Sequence, residues 1–238
     1  MSYQLPYKDR LGFCNVLMSA IGGDGANMAA KLLFKIAVSE LNLDGAYDAK
    51  YGSEKKGTPT DVSLRLCDPG TPVRTSGPTD SPHILAIFRP GLITALHLNR
   101  GLQDNATVIV NTTETPDQIR EKLKLHSGTI LTVDAEMIAE ESHSRLNMPM
   151  MALIARVLGF PSEILAQQVE KQWPFAAKAN LAAFNAAYDK ILEKKFEARD
   201  DFPLVPPGSV TRGEIGYTNM LNGGAINALD HSTVNRNN

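Results

Sequence analysis

The feature that most constrains this fold is a glycine-rich turn that directly follows an apolar run. The run, residues 16–21, is Val-Leu-Met-Ser-Ala-Ile, and Gly22-Gly23-Asp24-Gly25 comes immediately after it. The next segment, 25–41, has apolar residues at helical spacing with charged residues between them. A strand, a tight turn and a helix in this order predict the first unit of an α/β domain.

Apolar runs and helical patterns continue to alternate as far as residue 197. Strands are predicted over 11–21, 45–51, 61–67, 83–88, 107–110 and 129–133, and helices over 25–41, 91–100, 117–125, 148–159, 162–173 and 175–197, with one more helix starting at Asp134. Apolar and polar residues alternate over 61–67, which predicts a half-exposed strand. The whole pattern predicts a three-layer α/β fold, in which a mostly parallel sheet is flanked by helices in a Rossmann-like arrangement.

The composition changes after Phe202. Residues 203–238 are rich in proline and glycine, which interrupt regular structure, yet they keep apolar side chains such as Ile215 and Leu221. Disordered tails are typically poor in such residues. We therefore predict one α/β domain over 1–202 and an extended C-terminal arm over 203–238 that lies on another protein surface. A disordered tail and a packed piece of the same domain are the alternatives.

The charge and the cysteine content bear on partners and location. The formal net charge of -2 at pH 7 gives no overall attraction to nucleic acid or to an acidic membrane, so neither is predicted as a partner. Cys14 and Cys67 form no CxxC pair and lie in apolar runs, which predicts small core residues in a reducing compartment. Charged residues precede the first apolar run, and no run of about 18 apolar residues follows. We predict a cytoplasmic location.

The glycine turn partly resembles a dinucleotide-binding fingerprint. Gly23 and Gly25 follow a predicted strand, but Met28 occupies the position of the third glycine. The carboxylate of Asp24 would also repel a phosphate. These departures make dinucleotide binding the weaker hypothesis. The turn, which starts at Gly22, is interpreted either as a requirement of the fold or as a close approach to a ligand or partner.

A second glycine-bounded segment carries two adjacent cations. Residues 51–57 are Tyr-Gly-Ser-Glu-Lys-Lys-Gly. Their glycine spacing resembles a P-loop, but Lys55 and Lys56 lie inside the loop rather than after its second glycine, which argues against an NTPase. Two lysines at the end of a strand could still hold a phosphate as point charges. The alternative is a solvated surface loop without a ligand.

The other chemistry-bearing residues form no recognisable catalytic or metal-binding pattern. The five histidines share no ligand spacing, no GxSxG motif is present, and no pair of carboxylates stands out. We therefore predict neither a catalytic residue nor a metal site in this chain. An α/β domain with a basic loop and no reactive groups of its own indicates a subunit of a larger enzyme.

Four segments combine into a wider pattern: the glycine turn, Ala-Ala-Lys-Leu-Leu at 29–33, the basic loop at 51–57, and the strand at 62–66 that follows it. Later positions that fit the same pattern are Asn147, Met148, Gly159, Pro161, Asn180 and Asn185. The pattern resembles the gamma subunit, or the corresponding domain, of the 2-oxoacid:acceptor oxidoreductases, of which pyruvate:ferredoxin oxidoreductase is the best-known member. The resemblance covers residues 11–197.

The resemblance implies a complex that decarboxylates a 2-oxo acid on thiamine diphosphate, passes electrons through [4Fe-4S] clusters to ferredoxin or another acceptor, and yields an acyl-CoA. It places thiamine diphosphate, Mg²⁺ and the clusters in partner subunits of the alpha, beta and delta types. No cofactor is then bound by this chain alone, and CoA lies at the interface. Carried over to this sequence, Lys55 and Lys56 contact the CoA phosphates, while Ser53 and Gly57 shape the loop.

The turn of Gly22, Gly23 and Gly25 is predicted to lie near the ligand or a partner. The sequence departs from the family at 58–60, where Thr-Pro-Thr replaces a more glycine-rich continuation and stiffens the loop. We predict a gamma subunit that contributes scaffold and a CoA-phosphate loop, with its arm at 203–238 bound to the other subunits. The alternatives are a stand-alone dinucleotide-binding oxidoreductase and a purely structural interaction subunit.

Overall fold

Strands and helices alternate along the chain in the computed structural model, which describes residues 3–51, 57–73 and 77–207. The strands in this part of the chain are β1 (Phe13–Ile21), β2 (Asp44–Tyr51), β3 (Pro59–Cys67), β4 (Ile84–Ile87), β5 (Ala106–Asn111), β6 (Gly128–Val133) and β7 (Leu192–Phe196). The helices are α1 (Ala26–Ser39), α2 (Leu92–Ala95), α3 (Pro116–Leu123), α4 (Ala135–Glu141), α5 (Asn147–Leu158), α6 (Ser162–Gln172) and α7 (Ala177–Lys190), with a 3-10 turn at Pro174–Ala176 between the last two. None of these helices is long and apolar enough to cross a lipid bilayer.

The strands of the described residues form one sheet in the order β2-β3-β1-β4-β5-β6-β7. β1 pairs in parallel with β4, β4 with β5, and β5 with β6. β3 runs antiparallel to both of its neighbours, and β7 runs antiparallel to β6. All strands except β3 and β7 therefore point in one direction, which confirms the predicted mostly parallel sheet.

Two hydrophobic cores lie between the sheet and the helices on its faces. Along β1, Val16 and Met18 face one core, while Leu17 between them faces the other. The first core packs against α1 and α4 to α7, and the second packs against α2 and α3. Each fully buried large side chain, such as Leu33 or Ile87, stabilises the fold by about 1.5–3 kcal/mol relative to exposure. The three-layer prediction is confirmed.

Strand β3 differs from its prediction, because it is buried along most of its length rather than half-exposed. It lies inside the sheet, between β2 and β1. Its polar residues find partners there: the Ser63 hydroxyl oxygen accepts the Thr79 N–H at 2.9 Å, and the Asp61 carboxylate accepts the Ser19 hydroxyl at 2.9 Å. The alternation in the sequence therefore reflects internal hydrogen bonding and not a solvent-exposed face.

The last helix is shorter than predicted. α7 ends at Lys190 and the edge strand β7 follows, so the helix predicted over 175–197 is wrong in its final turns. Phe196 anchors this strand, since its ring is buried and lies 4.7 Å from the guanidinium carbon of Arg120. Phe196 is the one buried residue of β7. A single buried aromatic residue is compatible with the spacing of a helix and with that of a strand, so the sequence pattern did not show where α7 ends.

The helix predicted over 91–100 is reduced to the single turn of α2. His97 has a φ of 48°, in the left-handed region, and a right-handed helix cannot continue through such a residue. The periodic leucines that suggested a longer helix are nevertheless buried, with Leu96 and Leu98 in the second core. Burial in an irregular loop therefore produced the helical pattern here.

Only the start of the predicted C-terminal arm falls within the described residues. Residues 203–207 pass beside the loop after α2, where the Val205 carbonyl accepts the Gly101 N–H at 2.7 Å. Residues 208–238 lie outside the described part of the chain. The arm and its boundary at residue 202 therefore stay predictions.

Both cysteines lie in the core, as predicted. Cys14 on β1 and Cys67 at the end of β3 are fully buried free thiols. Burial raises the pKa of the Cys14 thiol to about 12. This thiol therefore stays protonated and unreactive at neutral pH.

His83, just before β4, makes the stability of the chain depend on pH. Its imidazole stacks on Tyr7 with ring centres 5.5 Å apart, and its Nδ1 accepts the Asn15 backbone N–H at 3.1 Å. Burial lowers the pKa of His83 below the ordinary value of 6.5. The unfolded chain therefore takes up this proton first as the pH falls. The contribution of His83 to stability should be complete above pH 6.5 and decline below it.

We expect His83→Asn to reduce this pH dependence, because the asparagine oxygen can accept the same N–H but does not titrate. Urea unfolding of both chains between about pH 7.5 and 5 should give a steeper fall in the free energy of unfolding for the wild type. The limit for one proton is about 1.4 kcal/mol per pH unit. Equal slopes for the two chains would contradict the role assigned to His83.

Candidate functional site

The carboxyl ends of the parallel strands β1, β4, β5 and β6 lie at one edge of the sheet. After β1 the chain passes through α1 and enters β2, which lies on one side of β1, beyond β3. β4 pairs with β1 on its other side. This reversal leaves a crevice beyond the ends of β1 and β4, which is where open α/β sheets usually bind their ligands. The predicted glycine turn lies at this point.

The glycine turn carries the chain from β1 into α1. The Asp24 N–H donates to the Ile21 carbonyl at 3.0 Å, and Gly23 and Gly25 have φ values of 113° and 86°, which side chains disfavour. Gly25 is also the N-cap of α1, and no side chain caps this helix. The first N–H groups of α1 are therefore not used by a capping side chain and are suited to bind an anion.

Gly25 also permits a close approach between the turn and α5. A Cβ atom at this position would lie 2.8 Å from Cγ of Asn147, the first residue of α5. Asn147 is only 3% exposed, and its Oδ1 has no hydrogen-bond partner among the described residues. Leaving such a group unsatisfied costs about 1–3 kcal/mol. This amide is therefore suited to accept a hydrogen bond from a ligand.

The glycine turn holds the end of the basic loop. The Gly22 N–H donates to the Thr58 carbonyl at 2.8 Å, and the Gly57 N–H donates to the Gly22 carbonyl at 3.1 Å. Both hydrogen bonds extend the pairing of β1 with β3. The last residue of the loop, Gly57, therefore lies at the same edge of the sheet as the turn.

Of the four loop residues predicted to bind CoA, only Gly57 is described. Its φ of 78° lies in the left-handed region, and a Cβ atom added there would meet no other atom within 4 Å. This backbone conformation and the open space around it suit the shaping role predicted for Gly57. Ser53, Lys55 and Lys56 lie outside the described residues. Their roles stay predictions.

An open cleft of about 850 Å³ lies beside the turn and the start of α5, and we name it the carboxyl-edge cleft. Its lining residues are Gly23, Asp24, Gly25, Met28, Arg89, His143, Ser144, Arg145, Leu146, Asn147, Met148, Trp173, Ala176 and Asn180. Met28 and Trp173 supply apolar surface. Arg145 supplies positive charge, and the positive charge of Arg89 lies against the carboxylate of Asp24. The cleft therefore combines apolar walls with donors for an anion.

Asp24 and Arg89 form an ion pair beside the turn. The Nε and Nη2 atoms of Arg89 donate to the Asp24 carboxylate over distances of 2.6, 3.0 and 3.1 Å. The Asp24 side chain is 8% exposed, and that of Arg89 is 35% exposed. The hydrogen bond to Asp24 raises the pKa of Arg89 above its ordinary value, so the guanidinium stays charged.

The carboxyl-edge cleft holds groups suited to bind an anion. Within residues 3–51, 57–73 and 77–207, no three His, Cys, Asp or Glu side chains come together in a way that could hold a metal ion. His143 is the only histidine among the lining residues, and it is exposed. The geometry is therefore suited to hold an anionic ligand that also has apolar parts.

The structure brings some of the predicted site residues to the cleft, which also contains residues that were not predicted. Gly23 and Gly25 line the cleft, while Gly22 links the turn to the basic loop. Arg89 was not predicted as a site residue, although it follows the carboxyl end of β4 and could have been found by that position. Asn147 was singled out only by resemblance, since nothing in its sequence neighbours indicates a buried amide oxygen without a partner among the described residues.

Comparison with known proteins gives a consistent result. The family model for pyruvate ferredoxin/flavodoxin oxidoreductase matches residues 15–190. The chain is 30% identical over 175 residues to a Thermococcus kodakarensis protein named pyruvate/ketoisovalerate oxidoreductases common subunit gamma. That similarity covers 72% of this chain and 93% of the relative.

Solved structures share the fold. The pyruvate oxidoreductase subunit PORC of Thermotoga maritima gives a TM-score of 0.68 at 23% identity, covering 77% of this chain and 99% of that one. A 2-oxoglutarate:ferredoxin oxidoreductase from Magnetococcus marinus, solved with 2-oxoglutarate, coenzyme A and succinyl-CoA bound, gives 0.58 at 14% identity. The latter similarity covers 75% of this chain and 31% of that chain.

Proposed function

The chain belongs to the pyruvate ferredoxin/flavodoxin oxidoreductase family as a gamma-type subunit, and from this premise we propose that it forms one wall of a CoA site in a 2-oxoacid oxidoreductase complex. The complex decarboxylates a 2-oxo acid oxidatively and yields an acyl-CoA. This chain contributes scaffold and phosphate-binding groups, and the reactive groups belong to its partners. The name of the Thermococcus relative makes pyruvate and ketoisovalerate the first substrates to test.

One observation carries this proposal: the glycine turn, the uncapped start of α1 and the end of the basic loop lie together. Gly22 is hydrogen-bonded to Gly57, the residue that directly follows Lys55 and Lys56 in the loop. Helix N-termini and lysines both favour phosphate. CoA has phosphates for these groups and apolar parts for Trp173. The neighbouring structure from Magnetococcus marinus, which holds CoA, supports the choice of ligand.

The potential metal-ligating residues of this chain determine in which subunits we place the cofactors of the complex. The described residues contain two cysteines, both buried in the sheet, and no acidic cluster that could hold a metal ion. These residues do not fit a [4Fe-4S] cluster or the Mg²⁺ of thiamine diphosphate. We assign these groups to partner subunits of the alpha, beta and delta types. Electrons then leave the complex to ferredoxin or another acceptor.

The proposed location of the complex is the cytoplasm. Cys14 and Cys67 are unpaired thiols, and a reducing compartment keeps thiols in this state. The arm at 203–238 is proposed to bind the partner subunits, because it continues past the described residues with apolar side chains.

Native mass spectrometry of the complex tests the subunit role. The chain carries an affinity tag at its own chromosomal locus and is purified without over-expression. We expect larger partner subunits and the absorbance of iron–sulfur clusters to co-purify with it. A colourless homo-oligomer or monomer would contradict the proposal. Binding of NAD(H) or FAD by the isolated chain would favour the stand-alone dinucleotide-binding oxidoreductase instead.

Asn147→Leu should separate binding from stability. Leucine has nearly the same shape as asparagine but removes the buried oxygen that lacks a partner among the described residues. We expect the free energy of unfolding to stay equal or to rise by about 1 kcal/mol. The KM for CoA of the assembled complex should rise several-fold, because the loss of one hydrogen bond weakens the binding free energy by about 1 kcal/mol.

Thr132→Val is the matched control for this variant. The Thr132 hydroxyl is also buried without a partner among the described residues, but it lies on β6 outside the carboxyl-edge cleft. We expect this control to change stability to a similar extent and to leave the KM for CoA unchanged. If both variants, or neither of them, altered the KM for CoA, Asn147 would not be a ligand contact.

A further inference from the structure

A carboxylate within the proposed phosphate site needs an explanation. Asp24 stands between Gly23 and Gly25 in the turn, and its side chain is nearly buried. An uncompensated negative charge at this place would oppose the binding of a phosphate. The described residues include one group that offsets it, the guanidinium of Arg89.

We infer that Arg89 is a positioning residue that neutralises Asp24 and so makes the glycine turn able to accept an anion. The inference rests on the proposed function, because it concerns how that same site accepts its ligand. Arg89 acts through Asp24 and does not itself bind the CoA phosphates. Asp24 in turn fixes the turn.

The contacts of Asp24 explain how it fixes the turn. Its Oδ2 accepts a hydrogen bond from the backbone N–H of Ile21 at 3.0 Å, which connects the end of β1 to the turn through the Asp24 side chain. The Asp24 N–H donates to the Ile21 carbonyl at 3.0 Å, which closes the same turn through the backbone. The carboxylate is therefore a structural part of the turn, and its charge must be offset by another residue.

The contacts of Arg89 explain why it acts through Asp24. Its Nε and Nη2 atoms donate to Asp24, and its Nη1 atom donates to Glu136 in the first turn of α4. The guanidinium is therefore engaged by two carboxylates, one nearly buried and one exposed. A planar guanidinium can satisfy both at once, since its donors point in fixed directions. This geometry links β4 and α4 to the turn across the crevice.

Substitution of both partners tests the inference in the assembled complex, with the KM for CoA, the KM for the 2-oxo acid and kcat as readouts. We expect Arg89→Gln to raise the KM for CoA about tenfold or more, with the KM for the 2-oxo acid unchanged, because it leaves the Asp24 charge unpaired. Arg89→Lys keeps the charge and should have a smaller effect. Arg156→Gln, the same change in the exposed ion pair with Glu193, is the matched control and should match the wild type.

The double variant Asp24→Asn/Arg89→Gln decides between an indirect and a direct role. If Arg89 acts only through Asp24, the double variant should bind CoA as well as Asp24→Asn alone, within about threefold. A double variant with a KM for CoA clearly more than about threefold above that of Asp24→Asn would mean that Arg89 contacts the ligand itself, and would overturn the inference. Because this comparison does not use the Arg89→Gln single variant, it remains decisive even if Arg89→Gln fails to assemble.

The lysines of the basic loop separate failure of the inference from failure of the proposed function. If Lys55→Glu/Lys56→Glu raises the KM for CoA while Arg89→Gln leaves it unchanged, the positioning role is wrong and the CoA site stands. If neither variant changes the KM for CoA, the CoA site itself is wrong, and the positioning role fails with it.

Discussion

Reversing both charges of the basic loop, Lys55→Glu/Lys56→Glu, should raise the KM for CoA of the assembled complex by about ten- to a hundredfold. Each lysine within reach of a phosphate contributes about 1 kcal/mol at a solvent-accessible site, and reversal adds repulsion to the loss of attraction. The 2-oxo acid has no contact with this loop in the proposal. The KM for the 2-oxo acid should therefore stay within about twofold of the wild-type value. A tenfold change would correspond to a difference of about 1.4 kcal/mol in binding free energy.

A second adjacent lysine pair provides the matched control for this variant. Lys194 and Lys195 lie on the edge strand β7, away from the carboxyl-edge cleft. Lys194→Glu/Lys195→Glu changes the net charge of the chain by the same amount. Steady-state kinetics at several salt concentrations should show an increase in the KM for CoA with the loop variant alone. If both double variants raised it equally, the effect would come from net charge, and the loop would have no specific role.

Gly25→Ala should lower the free energy of unfolding by about 2 kcal/mol and should weaken CoA binding as well. The residue has a φ of 86°, and a left-handed backbone costs a non-glycine residue about 1–2 kcal/mol. Its new Cβ would also lie 2.8 Å from Cγ of Asn147, so one of the two must move. That movement would shift the start of α1 or of α5, and both border the carboxyl-edge cleft.

Gly23→Ala is the control that isolates backbone strain. Gly23 also has a positive φ, 113°, but a Cβ there meets nothing within 4 Å. Denaturant unfolding should therefore show a lower free energy of unfolding for both variants than for the wild type, with the larger decrease for Gly25→Ala. The KM for CoA should rise more for Gly25→Ala than for Gly23→Ala. Equal KM values would mean that the contact between Gly25 and Asn147 has no part in binding.

The sequence predicted the first α/β unit well, because its local signals agree with its environment. The apolar run before Gly22 is buried on both faces as β1, and the periodic face of residues 25–41 packs as α1. Strand β3 was predicted with the right bounds within two residues but with the wrong exposure. Its polar residues bond within the protein, and a local pattern does not distinguish an internal partner from water.

The candidate site shows the same division between local and non-local information. The positive φ values of Gly23 and Gly25 follow from a tight turn after a strand, which the sequence displays directly. Asp24 and Arg89 pair although they are 65 positions apart in the sequence. Gly25 and Asn147 approach each other closely although even more positions separate them in the sequence. Such contacts depend on the strand order, in which β4 joins β1 from the side opposite to β3. That order is a property of the whole fold.

The measurement that tests this account most directly is the division of activity between this chain and its partners. Reduction of an electron acceptor with a 2-oxo acid and CoA would be followed for the purified chain, for the remaining subunits, and for the two combined. We predict no turnover by the chain alone and CoA-dependent turnover by the recombined complex. Turnover by the chain alone, in a preparation shown by mass spectrometry to lack other subunits, would contradict the claim that its partners supply the reactive groups.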